Sequence, residues 1–369
     1  MPLEFSYKLA SFPDGCDLAA VRDEPFFRAD ILNMLYDHSW IGVCATDGDF
    51  QFIHAIAPSA IGQTGRFDIE PAFGYAGPVF NTSDTSFITK ATALYSEWCR
   101  EHRIIAELVR FNPHLQNSGQ FSRVSRFKLT LPKKLAYMPI VQDQSAMARF
   151  YTADCNEKLA DGLATFDVRI VDKTCWEWDA FVRLCQNAAR NPAAFKVPQL
   201  DPHFLQHARA IDSVILLAAF SDDVIASGWL FAAGRPVSQC LLYVENGTLP
   251  RHTGAAQAVL HHAGSLLAGM GSKAICLGGG QTARRDDPLF AFKMGFGAQA
   301  IDFPVGYWTH EPVALRALYA QAEAFDLSVH DQPKFLRYRL AKPFAAGRMK
   351  PDSQPFETAE FAAVERVSP

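Results

Sequence analysis

Three consecutive glycines, Gly278-Gly279-Gly280, follow the apolar run Ile275-Cys276-Leu277. Glycines placed directly after a buried strand let other groups approach the backbone closely, and they leave N–H groups to face a ligand. The acidic pair Asp286-Asp287 and Pro288 then mark a helix start, with either aspartate as cap and the proline in the first turn. Lys293 falls one to two turns into that helix, between Phe292 and Phe296. A plainer reading of the same residues is a turn, a capped helix and a lysine whose stem lies over apolar surface. A Walker-type phosphate loop is excluded, because no GxxxxGK[ST] string is present.

The elements that must position these residues fall into two halves of similar order. In the first, Ile41 to Ala45 and Phe50 to Ala57 flank Asp47-Gly48 and read as a hairpin. Gly74-Tyr75-Ala76-Gly77-Pro78 follows, then a helix over residues 83–103 with Phe87, Ala91, Leu94, Tyr95 and Trp98 on one face and Ser83 or Asp84 as its cap. Residues 104–109 read as a buried strand. In the second half, residues 214–220 and 224–232 form a hairpin around Ser221-Asp222-Asp223. A strand over 239–244, a helix over 253–267, a strand over 273–277, the helix from Pro288 and a strand over 300–307 complete it. This order predicts an α/β fold with mixed sheets and helices packed on them. The expected domains are 1–160 and 161–340, with a polar C-terminal tail over 341–369.

The chain has 369 residues, 49% hydrophobic and 20% charged, with a formal net charge of −4 and a pI near 6.3. This is an ordinary globular composition, and the acidic balance argues against a general polyanion binder. No DNA partner is expected. Eight cysteines are scattered singly with no CxxC pair, so no metal site is expected. The cysteine usage fits a reducing compartment. No signal peptide or membrane span is read, and the expected location is cytoplasmic.

The string Leu277-Gly278-Gly279-Gly280, the acidic pair, and Leu289-Phe290-Ala291-Phe292-Lys293 running on to Phe296-Gly297 resemble the C-terminal signature of FemAB-like proteins. These include aminoacyltransferases that build peptidoglycan cross-bridges. The string Phe73-Gly74-Tyr75-Ala76-Gly77-Pro78 is similar to that family's Gly-Tyr-Gly-Gly-Pro element, with Ala76 in place of one glycine. The resemblance implies two tandem GNAT-like domains, and transfer of an acyl or aminoacyl group to an amine on a small molecule, peptide or sugar. It implies that Lys293 and Phe292 lie at the reaction centre. A fixed cation beside a developing oxyanion lowers the barrier.

Arg251-His252-Thr253-Gly254-Ala255-Ala256 fits the R/Q-x-x-G-x-G/A pattern of GNAT enzymes. Free N–H groups at such a helix start bind the pyrophosphate of an acyl-CoA. Arg251, Gly254 and Ala256, with Gly278, Gly279 and Gly280, are thus the expected donor-binding residues. Glu245, at the end of a strand that faces the cleft in GNAT folds, is the expected general base. Tyr75, Gly77, Tyr243, Gln281 and Arg284 are the expected acceptor contacts. Each also has a structural reading, as turn packing, a solvated strand end or a surface charge cluster. No tightly bound cofactor is expected; acyl-CoA or aminoacyl-tRNA would serve as co-substrate, which leaves tRNA as a partner. The alternative is a catalytically silent tandem-GNAT protein that binds a nucleotide-sugar or peptide.

Overall fold

The computed structural model describes residues 3–71, 74–190, 202–248, 254–280, 286–326 and 334–347. In chain order the strands are β1 (Glu4–Leu9), β2 (Ile41–Asp47), β3 (Phe50–Ile56), β4 (Pro58–Ile61), β5 (Phe67–Ile69), β6 (Val79–Phe80), β7 (Ile104–Arg110), β8 (Phe127–Pro139), β9 (Asp167–Ile170), β10 (Val214–Ser221), β11 (Val224–Ala232), β12 (Val237–Glu245), β13 (Ala274–Cys276), β14 (Gln299–Thr309) and β15 (Ala346–Gly347). The helices are α1 (Ala29–Tyr36), α2 (Thr85–Glu101), α3 (Gln144–Ala148), α4 (Ala153–Thr165), α5 (Trp176–Arg190), α6 (Pro202–Ala210), α7 (Ala255–Gly269), α8 (Pro288–Met294) and α9 (Pro312–Phe325). The mixed α/β class read from the sequence holds.

The chain forms two compact units that interleave. One takes Met1–Ala20, Leu35–Pro132 and the described residues from Phe303 onward; the other takes Val21–Met34 and Lys133–Asp302. This differs from a single boundary at residue 160. The segment around that position is packed core rather than connector: Met147, Tyr151, Cys155 and Leu159 of α3, α4 and their junction are buried with Val259, Leu260 and Phe296.

In the first unit, β1, β2, β3 and β6 pair antiparallel in that order. The β2–β3 hairpin closes at Asp47↔Phe50, and Gly48 takes the positive φ of 59° that its turn requires. Asp84 caps α2 by accepting from the Phe87 N–H at 2.7 Å. Phe87, Ile88, Ala91, Tyr95 and Trp98 then form the buried stripe against Phe52, Phe80 and Trp308. A further set of strands runs in the order β15, β4, β5, β7 and the end of β14.

The chain's late residues return to this unit. Leu336, Tyr338, Ala341 and Phe344 are buried with Ile61, Ile105 and Leu315. Asp68 of β5 is fully buried; it accepts from the Tyr338 hydroxyl and from the Arg339 guanidinium, at 2.8 Å from Nε. Residues 341–347, expected in a polar tail, are therefore partly core, because the apolar Ala341 and Phe344 flank the polar positions. The rest of that expected tail lies outside the described residues.

The second unit carries strands in the order β8, β13, β12, β11, β10, β9. Only β12 and β13 pair in parallel there; the others are antiparallel. Helix α7 is rich in small residues and buried along most of its length, with Ala258, Val259, Leu260, Ala263 and Leu267 fully inaccessible. Among the described residues, no helix is long and apolar enough to cross a membrane.

Candidate functional site

The parallel strands β12 and β13 pair over only three positions, Val237↔Ala274, Ser238↔Ile275 and Gln239↔Cys276. Beyond them β12 runs on to Glu245, while the chain after β13 turns away as Leu277 and the three glycines. Opposite β11 the register of β12 jumps from Leu230↔Leu242 to Phe231↔Cys240, which leaves Leu241 as an extra residue. A bulge of this kind takes one residue out of the ladder and bends the strand. The notch opens just past the last paired residue, Gln239, beside the bulge.

The glycine segment stays close to β8. Leu277 N–H donates to Ala136 O at 2.9 Å, and Ala136 N–H donates to Gly278 O at 3.0 Å. Gly278 has φ +77°, in the left-handed region that favours glycine. Gly280 has no room for a side chain, since a Cβ there would stand 2.6 Å from the Asp287 carboxyl carbon. Asp287, rather than Asp286, caps α8 by accepting from the Phe290 N–H at 2.9 Å.

Lys293 is only 4% exposed, and its ammonium donates to the Gly279 carbonyl at 2.7 Å. Burial pushes its pKa down, against the opposing influence of Cys240, Cys276 and Asp287. Cys240 and Cys276, which stand at the opening of the notch, are near enough to act on the lysine charge. Burial also pushes the Cys276 thiol up to about 11 and Cys240 to about 12. Both are therefore neutral thiols at physiological pH. An aromatic row lies alongside. Tyr243 stacks on Trp229 with centroids 4.5 Å apart, and Trp229 stands 6.5 Å from Phe292. Burial, then Cys240, Glu245 and Asp287, hold the Tyr243 phenol up at about 12, so it keeps its proton at physiological pH.

The structure thus brings Lys293, Phe292, Tyr243 and the three glycines into one unit and, through Asp287 and Cys240, into one neighbourhood. It does not bring Glu245 beside Lys293. Glu245 is five residues along β12 from Cys240, roughly 15 Å at the rise of a strand. It is exposed and lines a cavity of about 650 Å³ with Trp176, Arg183, Asn187 and Thr248.

Gly254 caps α7 at φ +105°. A Cβ there would meet Lys158 O at 2.2 Å and Gly162 N at 2.6 Å. Its bare Cα therefore faces the backbone of α4, and helix packing alone demands a glycine. Ala256 is buried, 5% exposed. Arg251, Gln281 and Arg284 lie outside the described residues. In the first unit, Gly74 and Gly77 have φ +91° and +64°. Ala76 makes a parallel bridge with Phe111, an extended position where alanine fits as well as glycine. Asn117 Nδ2 donates to the Ala76 and Pro78 carbonyls at 2.8 and 3.0 Å. Tyr75 packs edge-on against Phe303 at 5.0 Å.

Sequence reasoning passed over Trp229 and Cys240. Trp229 sits in an apolar strand, where it reads as core, and Cys240 carries no motif. Their alternation with Tyr243 across paired strands was the available signal.

No protein-family model matches the sequence, and no curated protein matches it. Solved structures do. The fold of the chain is similar to that of the solved structure described as FemX. The structure described as FemX aligns with a TM-score of 0.60 over 82% of this chain and 95% of that one, at 11% identity. A conserved protein of unknown function from Bacteroides thetaiotaomicron VPI-5482 aligns with a TM-score of 0.50 over 75% of this chain and 87% of that one, at 11% identity. A tandem GNAT protein from the clavulanic acid biosynthesis pathway covers 84% of this chain and 99% of its own, with a TM-score of 0.49 and 10% identity. At such identities the likeness to the first two of these structures carries the fold alone.

Proposed function

We propose that the protein is an acyltransferase that moves an acyl or aminoacyl group from an activated donor to an amine, with the reaction centred on the notch between β12 and β13. The observation that supports this reading is the buried Lys293 ammonium, held against the Gly279 carbonyl. A buried, hydrogen-bonded cation on a capped helix has its position fixed before substrate arrives. Fixed charge of that kind stabilises an oxyanion in a site with little water. One of its three N–H donors is used by Gly279, which leaves two for a substrate oxygen.

In this scheme the acceptor nitrogen attacks the donor carbonyl. The C–N bond forms, and the carbonyl electron pair moves onto oxygen beside Lys293. Collapse of the tetrahedral intermediate breaks the bond to the thiolate of CoA or the ribose oxygen of an aminoacyl-tRNA. The Tyr243 hydroxyl supplies a proton to the leaving group and regains one from the water that takes a proton from the nitrogen. Glu245 acts only on an acceptor long enough to extend along β12. The donor-binding role of the α7 start and of the glycine segment belongs to the same proposal, as do the acceptor roles of Tyr75, Gly77, Gln281 and Arg284. A peptidoglycan or polysaccharide precursor as acceptor rests on the motif resemblance alone.

The near-complete burial of Lys293 also favours a second reading, a silent binding protein in which the lysine only staples the glycine segment. Release of CoA from acetyl-CoA in the presence of a panel of primary amines separates the two. Amine-dependent release that falls in Lys293→Met supports the transferase. Saturable binding of ligand with no turnover in any combination supports the silent protein.

A further inference from the structure

A second pocket lies in the first unit, built on the face of α2 that carries Ser96 and Arg100. Residues spaced by three and four lie on one side of a helix, and Thr89, Thr92, Ser96 and Arg100 follow that spacing. Arg123, Ser125 and Arg126 enter from the segment before β8, and His310 from the end of β14. The cavity measures about 250 Å³. That is below the range of roughly 300–1,000 Å³ for whole small-molecule sites and suits a single head group with the rest of its molecule in solvent.

The charge of this pocket is one-sided. Three arginines line it, and no carboxylate does. The chain has more acids than bases, 39 against 35. Even so, among the described residues no carboxylate lies within ion-pair distance of Arg100, Arg123 or Arg126. Arg28, Arg66, Arg169, Arg209, Arg337 and Arg339 have such partners, while Arg103 and Arg149 also have none among the described residues, so the distinctive feature is three such arginines on one concavity. Three un-neutralised guanidiniums around one concavity repel each other unless an anion joins them.

The back wall is rigid. Arg126 Nη1 donates to His310 O at 3.4 Å, and the Thr309 N–H donates to Arg126 O at 3.1 Å. His310 is 1% exposed; its Nδ1 lies 3.2 Å from Ser96 Oγ, and its Nε2 lies 3.7 Å from Glu107 Oε2. With the buried carboxylate on the Nε2 side, the ring proton belongs on Nε2 and Nδ1 accepts from Ser96. The serine oxygen then keeps its lone pairs, and the arginines supply the donors.

We propose that this pocket binds the phosphate group of a small molecule or lipid, at a site separate from the acyl-transfer residues. A phosphate has the charge to match several guanidiniums and enough oxygens to accept from each of them. A carboxylate would satisfy one arginine and leave the others unpaired. The inference stands on the first unit alone and does not depend on the transferase reading.

The test is calorimetric titration of the full chain with inorganic phosphate at constant ionic strength set with chloride. The comparison is Arg100→Ala/Arg123→Ala, in which both substituted side chains are exposed and free of intramolecular bonds. Saturable binding weakened at least about tenfold in the double variant is expected, since one lost charged hydrogen bond already accounts for that factor. Equal affinity in the variant, or heat no greater than that of chloride, overturns the proposal. Once phosphate binding is seen, sedimentation with phosphatidylglycerol vesicles separates the sources. Arginine-dependent pelleting assigns the group to a lipid, and its absence assigns it to a soluble phosphate ester.

Discussion

The ammonium of Lys293 and the carbonyl of Gly279 are 2.7 Å apart, and this bond ties the last turn of α8 to the glycine segment after β13. It explains why the two motifs occur together. The glycines let the segment run against β8 and the Asp287 carboxylate, and the lysine holds the Gly279 carbonyl. Each would be strained or unpaired without the other.

The depressed pKa of Lys293 gives a pH signature. Burial lowers it from the ordinary 10.5, so the cation is lost at lower pH than for an exposed lysine. If the charged form stabilises the oxyanion, kcat falls on an alkaline limb that lies below pH 10.5. Lys293→Arg, whose cation does not titrate in this range, should abolish that limb. A pH–rate profile that rises through the same region would instead make the neutral amine the active form.

Gly254→Ala should destabilise the second unit by at least about 2 kcal/mol, from overpacking and a left-handed backbone together. The added methyl would lie 2.2 Å from Lys158 O at a φ of +105°. Chemical denaturation measures this. Loss of donor binding in any Gly254 variant is therefore no evidence that this glycine touches the donor, and titration of the unmodified chain with acetyl-CoA is the cleaner experiment.

The first unit should lose stability in acid. Glu107 accepts from the Tyr95 hydroxyl at 2.7 Å and pairs with His54 Nε2 at 2.5 Å. Burial would raise its pKa, but His54 and His310 outweigh that and hold it at about 2. A depressed carboxylate stabilises the fold above its unfolded pKa, near 4.5, and that stability is lost as pH falls towards 2. His310, lowered from 6.5 by burial, acts in the same direction, because protonating it in the unfolded chain draws the equilibrium that way below its ordinary value. Thermal melts of Glu107→Gln between pH 7 and pH 3 should show a lower Tm at neutral pH, from a broken buried network worth about 3–5 kcal/mol, and a flatter dependence on acid. An unchanged slope would show that Glu107 is not the titrating group.

Much of this fold was legible in the sequence because its signals are local. The Asp47-Gly48 turn, a cap at Ser83 or Asp84 and another at Asp286 or Asp287, the stripe of α2 and the glycine triplet are each written within a few residues; the structure chooses Asp84 and Asp287. The Glu107 network was not, since His54 and Glu107 are 53 residues apart in sequence and Ser96 and His310 are 214 apart. Gly254 is ambiguous for a related reason. A glycine at a helix start reads the same whether a phosphate or the backbone of another helix approaches it, and only the position of Gly162 distinguishes them. The return of Leu336, Tyr338 and Phe344 to the first unit was hidden by the polar residues between them.

The most direct test of the proposed reaction is amine-dependent consumption of acetyl-CoA, or of an aminoacyl-tRNA where acetyl-CoA is inert, by the wild-type chain and Lys293→Met. The account predicts a fall of about two to three orders of magnitude in kcat, with donor affinity changed far less. Full activity in Lys293→Met, in a variant that still folds, would contradict it.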